Sequence, residues 1–263
     1  MCTLIAIKGV LADAALVVGA NRDELYARRS VAPRKVQDEP IVVAGIDREK
    51  GGTWMGANER GLFVALTNQR EHHPPDRSRA SRGEVVLEAL SMEDVESVDE
   101  LLASLDPSDF NGFNLLYGSA ADLRVAYSRP DEAAIEVESL GDGVWVLPND
   151  RIGSPHFPKS ERALALLESL LERDLEGVLA GLPTVLGDHE RPDASRVPAA
   201  PPGSRFDAGL LRILQALCIH TPIYGTRSST LLALGEGRVE RYLFADGPPC
   251  MTPFRDVTPL LST

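Results

Sequence analysis

The chain has 263 residues and a mass of 28.4 kDa, enough to bury a substantial core in one large domain or two small ones. Its 43% hydrophobic and 25% charged residues exclude wholesale disorder. The 27 Lys and Arg against 39 Asp and Glu give a net charge of −12, so neither nucleic acid nor an anionic membrane surface is an expected partner. No apolar run reaches the roughly 18–20 residues of a membrane span, and no secretory signal is recognisable. We therefore expect a cytoplasmic protein with a single domain over residues 1–263.

The first third of the chain contains short apolar runs rich in β-branched residues, which is typical of strands. These runs predict strands at residues 2–7, 15–20, 41–44 and 61–67. The last run is apolar at odd and even positions alike, which indicates a strand buried on both faces. A polar, proline-containing loop is predicted at 72–82.

Helical and extended patterns then alternate in blocks along the rest of the chain. Helices are predicted at 84–90, at 98–105, from just after Pro158 to Leu171, and at 206–217. The segment at 175–182 is predicted as a short continuation of the helix that ends at Leu171. Strands are predicted at 114–117, 123–127, 135–137 and 144–147, and a final hairpin at 228–234 and 239–244. A long loop with four prolines is predicted at 187–203. Because strands are joined by hairpin-length links, antiparallel sheets with helices on their outer faces fit better than a doubly wound parallel sheet.

Cys2 is the position most informative about chemistry. Removal of the initiator methionine, which is usual before a small residue, would leave Cys2 with a free α-amine. That amine has a reference pKa near 8 and could accept the proton of the thiol, so one residue would supply both nucleophile and base. The alternative interpretation is an ordinary small residue at the start of a strand.

Further polar candidates lie at predicted strand ends. In the tetrad Asn21-Arg22-Asp23-Glu24, Asp23 would come near Cys2 if the first two strands form a hairpin, and could hold the ammonium form of the amine. Asn68 and Asn149 follow later strands, where a neutral amide could stabilise an oxyanion or simply form a turn. Arg227 could bind a substrate carboxylate or form a structural salt bridge.

Neither the cysteines nor the histidines predict a metal site. Cys2, Cys218 and Cys250 are far apart in sequence, Cys218 is expected in the core and Cys250 in the tail. His72 and His73 are adjacent on one loop, so their side chains are expected to diverge, and the other three histidines lie in three separate proline-containing segments. No phosphate-binding glycine loop is present either, so no metal and no cofactor are expected.

Several of these motifs together resemble the NRDE family, which includes the eukaryotic transport and Golgi organisation protein 2. They are Met1-Cys2-Thr3-Leu4, the tetrad at 21–24, Thr53-Trp54-Met55-Gly56 with Asn58 and Gly61, Thr67-Asn68, and the 226–230 segment. That family is in turn similar to N-terminal nucleophile (Ntn) hydrolases of the bile salt hydrolase and penicillin V acylase type. The resemblance implies an α+β fold, a four-layer αββα sandwich of two stacked, mainly antiparallel sheets.

The resemblance also implies roles for individual residues. Cys2 matches the nucleophile, Asp23 the aspartate, Asn68 the oxyanion asparagine and Asn149 the second asparagine, with Arg227 as the late arginine. Asn21, Arg22 and Trp54 are expected to contact substrate. One departure is that Ala20 replaces the arginine of the hydrolase motif, and the nearest arginine, Arg22, is expected to point to the opposite face.

These observations lead to two main functional hypotheses. The first is a cysteine amidohydrolase that cleaves a non-peptide C–N bond of a small molecule. The second is a carrier of the same fold that binds haem, a lipid or acyl-CoA, and a degenerate hydrolase with a structural role is a third reading. The sequence specifies neither the substrate nor the oligomeric state.

Overall fold

The computed structural model describes residues 2–262, which form two antiparallel β-sheets and five α-helices. In chain order, the strands are β1 (Cys2–Leu11), β2 (Ala14–Leu25), β3 (Ser30–Asp38), β4 (Ile41–Asp47), β5 (Met55–Asn58), β6 (Phe63–Asn68), β7 (Phe113–Gly118), β8 (Leu123–Ser128), β9 (Glu136–Ser139), β10 (Gly143–Leu147), β11 (Tyr224–Gly235), β12 (Arg238–Ala245) and β13 (Arg255–Asp256). The helices are α1 (Arg82–Leu90), α2 (Val95–Ser104), α3 (Pro158–Leu167), α4 (Leu175–Leu186) and α5 (Ala208–Ile213). None of these helices has the combined length and apolar character needed to cross a membrane.

The two sheets stack face to face between outer layers of helices. The first sheet has the order β10-β1-β2-β11-β12-β13 and the second has the order β3-β4-β5-β6-β7-β8-β9. One apolar cluster fills the space between the sheets, a second lies between the first sheet and α3 and α4, and a third lies between the second sheet and α1 and α2. The expected αββα sandwich of mainly antiparallel sheets is therefore confirmed.

The central strands are buried on both faces, as the apolar runs predict. In β6, Phe63 and Ala65 pack between the sheets, whereas Val64 and Leu66 pack against the helical layer. Successive side chains of a strand point to opposite faces, so an uninterrupted apolar run suits a strand that is covered on both sides.

The strands that the sequence analysis missed are polar or very short. β3 forms the edge of the second sheet and contains Pro33 and several exposed charged side chains, which are common at edges because they discourage further pairing. β5 has four residues, one of them a glycine, and β13 has two. Apolar periodicity is too weak a signal for such elements.

Two of the predicted helices also differ from the structure. The segment at 175–182 is an independent helix, α4, whose first turn is capped by the Asp174 side chain 2.9 Å from the amide nitrogen of Gly177. The helix predicted over 206–217 ends at Ile213, where i→i+3 hydrogen bonds from Gln215 and Ala216 turn the chain. This turn places Cys218 outside any helix.

Candidate active site

Cys2 and Arg22 lie side by side at the end of the first sheet. They are directly opposite each other in the antiparallel pairing of β1 and β2, and such partners project from the same face. The expectation that Arg22 points to the opposite face is wrong, because β2 continues to Leu25 and residues 20 and 22, two positions apart, share a face. Arg22 can therefore act next to the thiol.

A cavity of about 890 Å³ opens at this end of the sheets. Five of the residues predicted from sequence line it, namely Cys2, Arg22, Asp23, Trp54 and Asn68. The Arg22 guanidinium stacks on the Trp54 ring, 4.3 Å from the ring centroid, which fixes the positive charge at the wall. The structure thus brings the proposed nucleophile and several polar partners to one concave surface.

Burial controls the ionisation of Cys2 and Asp23. The Cys2 side chain is 9% exposed, and burial raises the pKa of its thiol. Burial likewise raises the pKa of the Asp23 carboxyl, although its Oδ1 accepts a 2.6 Å hydrogen bond from Thr226 Oγ1. Since the thiol resists deprotonation in this setting, a nearby base is required before Cys2 can act as a nucleophile.

The two candidate asparagines are hydrogen-bonded to each other. Asn149 is buried, and its Nδ2 donates to the backbone carbonyl of Asn68 at 2.7 Å. The Asn149 carbonyl in turn accepts from the amide of Arg70 at 2.8 Å. Asn68 itself is half-buried and faces the cavity. Asn149 therefore supports the end of β6 and retains a second N–H on its amide group.

Asn21 is not available to bind substrate, contrary to expectation. Its Nδ2 donates to the carbonyls of Leu186 and Leu217, at 2.8 and 2.9 Å, and its Oδ1 accepts from Ser229 Oγ at 2.5 Å. Leu186 is the last residue of α4, so Asn21 satisfies a carbonyl that the helix leaves unpaired. The first residue of the tetrad joins the sheet to the helical layer.

Arg227 does not line the cavity. It occupies a register shift between Thr226 and Ser228 in the pairing of β2 with β11, and its guanidinium lies 5.9 Å from the centroid of the Tyr26 ring. A bulge adds one residue to a strand and redirects the side chain there. Strand alternation alone therefore could not place Arg227, and we leave it out of the proposed catalytic group.

Two cationic residues near the site were missed in the sequence. Arg70 lines the cavity, and its guanidinium stacks 4.0 Å from the Phe157 ring centroid. Lys159, in α3, is only 1% exposed, and its charge is coupled to those of Asp23, Cys2 and Arg70. Burial lowers the pKa of Arg70 to about 10 and that of Lys159 to about 8. Arg70 lies two residues after Asn68, so the alternation of side chains along a strand could have indicated it. No pattern in the sequence indicated Lys159, because lysine is rarely buried.

The hydrogen-bonding capacity of these cations is largely unused. Within residues 2–262, Nη1 of Arg22, Nε and Nη2 of Arg70 and Nζ of Lys159 have no hydrogen-bond partner. The cavity lining contains eight Lys or Arg residues and six Asp or Glu residues, whereas acidic residues predominate in the whole chain. Buried donors without partners are costly, so this surface is suited to an anionic ligand.

The expectation that the cysteines and histidines stay apart is also wrong. His189, Cys218, His220 and Cys250 bring one potential ligand atom each to within 4.8 Å of the others. Cys218 is buried, as expected, and Cys250 is exposed in the loop between β12 and β13, but the two thiols are neighbours. The cluster is distinct from the residues that line the large cavity around Cys2.

Comparison with solved structures identifies the class of fold. The structure is similar to penicillin V acylase from Agrobacterium tumefaciens (TM-score 0.56, 15% identity, covering 98% of this chain and 86% of that one). It is also similar to the C2A mutant of conjugated bile acid hydrolase from Clostridium perfringens (TM-score 0.56, 14% identity, covering 100% and 95%). The fold is therefore that of the Ntn hydrolases.

Sequence comparison gives the family. The profile of the Transport and Golgi organisation 2 family matches residues 1–242. The Transport and Golgi organization protein 2 homolog of Bos taurus is 31% identical over 251 residues, covering 89% of this chain and 88% of that protein. The Homo sapiens homolog is 32% identical over 238 residues, covering 82% and 81%. The chain belongs to the Transport and Golgi organisation 2 family.

Proposed function

We propose that this protein is an N-terminal cysteine amidohydrolase that cleaves a non-peptide C–N bond in a small acidic molecule. The observation that carries the proposal is the position of Cys2 in the wall of a large cavity that also contains Asp23, Asn68 and incompletely paired arginines. We further propose that Met1 is removed and that the reaction takes place in the cytoplasm.

In the proposed reaction, the α-amine of Cys2 takes the thiol proton and the thiolate sulfur attacks the amide carbonyl. Asp23 stabilises the resulting ammonium group, which requires that the carboxyl be ionised despite its burial. The amide of Asn68 donates to the tetrahedral oxyanion, and Arg22 adds positive charge beside the sulfur. The ammonium group then protonates the leaving nitrogen as the C–N bond breaks.

A thioester between Cys2 and the acyl group remains after the amine departs. The α-amine, now neutral, accepts a proton from water, whose oxygen attacks the thioester carbonyl. The C–S bond breaks, the acid is released and the sulfur regains a proton. Arg70 would bind an acidic group of the substrate, because hydrogen bonds between a guanidinium and an anion are short and strong.

The proposal can be tested with penicillin V, whose side-chain amide and carboxylate match the expected substrate chemistry. Intact mass of the purified protein should show the loss of one methionine, and incubation with penicillin V should add a phenoxyacetyl group to Cys2. Cys2→Ala should abolish the adduct, whereas Asn111→Ala, at the exposed rim of the cavity, should retain it. Retention of Met1 together with no acylation of Cys2 by penicillin V would refute the proposal.

The second candidate function is that of a carrier for a lipid, acyl-CoA or haem. Apolar residues at the mouth of the cavity favour it. Phe206, Leu210, Leu214 and Ile223 give part of the lining an apolar character, and Ile223 is 70% exposed. Extraction of the purified protein followed by mass spectrometry, with an absorption spectrum for haem, should detect a bound ligand. A carrier would contain such a ligand in stoichiometric amount and would not be acylated.

A further inference from the structure

A compact group of two thiols and two imidazoles lies on the outer side of the first sheet. It combines three segments that are remote in sequence. His189 follows α4, Cys218 and His220 lie between α5 and β11, and Cys250 lies in the loop between β12 and β13. One potential ligand atom from each residue lies within 4.8 Å of the other three.

The distances within the group match those between the ligands of one tetrahedral zinc ion. With Zn–S about 2.3 Å and Zn–N about 2.0–2.1 Å, two sulfurs are about 3.8 Å apart, and a sulfur and a nitrogen about 3.6 Å. Here Cys218 Sγ and Cys250 Sγ are 3.7 Å apart, and His220 Nε2 is 3.6 Å from the first and 3.3 Å from the second. Three of the four ligands therefore already stand at the spacing that the ion requires.

The chemistry of the group selects the type of metal. Two thiols and two imidazoles without a carboxylate favour Zn²⁺ over Mg²⁺ or Ca²⁺, which prefer oxygen ligands. Four protein ligands complete a tetrahedral shell and leave no open position for water or substrate, which is typical of a structural site.

Contacts around the group hold the ligands in place. Nδ1 of His189 lies 3.1 Å from the carbonyl oxygen of Cys218, a backbone partner of the kind that orients metal-binding histidines. The amide of Cys218 donates to the carbonyl of Asp188 at 2.9 Å, so the two segments are joined beside the ligands. His220 is fixed by a backbone bridge to Gly225.

We propose that His189, Cys218, His220 and Cys250 bind one structural Zn²⁺. The ion ties together the end of α4, the 214–223 segment and the 247–254 loop. Its effect extends toward the cavity through the neighbouring turn, where Ile219 and Thr226 exchange hydrogen bonds of 2.9 Å. Thr226 also donates to Asp23, so the metal braces the backbone that positions this carboxyl.

The proposal is tested by metal binding to the full-length protein after removal of metal with a chelator. Addition of Co²⁺ should give a thiolate-to-cobalt charge-transfer band and intense tetrahedral d–d bands that saturate at one equivalent, and Zn²⁺ should abolish them. Zn²⁺ should also raise the thermal unfolding temperature of the metal-free protein, because a ligand that binds only the folded state stabilises it.

Variants at exposed ligands separate this site from the cavity. Cys250→Ser and His220→Gln should each weaken Co²⁺ binding at least about tenfold and remove the tetrahedral bands, with circular dichroism showing that each variant folds. Cys2→Ser, which alters the third cysteine, should bind Co²⁺ like the wild type. A wild-type Co²⁺ spectrum without charge-transfer bands, or unchanged binding in Cys250→Ser, would overturn the proposal. Neither result depends on amide hydrolysis.

Discussion

Asn21 and Arg22, which are adjacent in β2, differ in whether their buried polar groups are hydrogen-bonded. On the helical side of the sheet, every polar atom of the Asn21 side chain has a partner in α4, in the 214–219 turn or in β11. On the cavity side, Arg22 and Arg70 retain buried N–H groups without a partner among residues 2–262. An unmade hydrogen bond costs about 1–3 kcal/mol, so the first arrangement stabilises the fold and the second lowers stability to keep donors available for a ligand.

This contrast predicts that changes at the cavity affect turnover more than stability. The largest effect is expected for Asn68→Ala, which removes the proposed oxyanion donor and should lower kcat for penicillin V about 100- to 1000-fold. Its free energy of unfolding should change by no more than about 0.5 kcal/mol, because the side chain is half-buried and faces the cavity.

Asn111→Ala is the matched control for that measurement. Asn111 also lines the cavity, but its side chain exchanges 2.8 Å hydrogen bonds with the backbone of Asp76 at the exposed rim. Its kcat should stay close to that of the wild type. Equal losses in the two variants would show that Asn68 only shapes the cavity.

The buried cation behind Asp23 should make stability depend on pH. The pKa of Lys159 falls from 10.5 to about 8 on folding, so the unfolded chain binds more protons between these values and stability rises with pH. Relative to Lys159→Met, the wild type should gain up to about 3 kcal/mol in the free energy of unfolding from pH 8 to pH 10.5.

Urea unfolding of both proteins across this pH range measures the gain. Lys35→Met, at a partly exposed lysine of the edge strand β3, serves as the control and should show no comparable dependence. A constant difference between wild type and Lys159→Met would mean that folding does not lower the pKa of Lys159.

The smallest effect is expected at Asn21, on the helical side of the sheet, where the buried polar groups are fully hydrogen-bonded. Asn21→Leu leaves the carbonyls of Leu186 and Leu217 and the hydroxyl of Ser229 without their partner, and should lower the free energy of unfolding by about 2 kcal/mol. Under conditions where the variant is folded, its rate of penicillin V hydrolysis should resemble that of the wild type. Loss of turnover with unchanged stability would place Asn21 in the binding site. The proposed difference between the helical side and the cavity side of the sheet would then be wrong.

The sequence analysis selected three residues near strand ends that the structure brings to one cavity. Cys2, Asp23 and Asn68 are at the ends of apolar runs whose period is readable, and adjacent antiparallel strands bring such ends together. It failed for Arg227, because a bulge redirects that residue, and for Lys159, because a lysine in the first turn of a helix is ordinarily exposed.

The amino-acid sequence by itself indicated antiparallel sheets with helices on their outer faces and the nucleophile candidate, because hydrophobic periodicity and strand-end motifs are local properties of the chain. The four-layer sandwich was implied by the resemblance of these motifs to the NRDE family. Only the tertiary structure decided which polar groups are saturated, where Arg227 lies, and that His189, Cys218, His220 and Cys250 meet. These outcomes depend on strand register, on a bulge and on the packing of three remote segments. Such relations join residues up to about two hundred positions apart, and no local pattern encodes them.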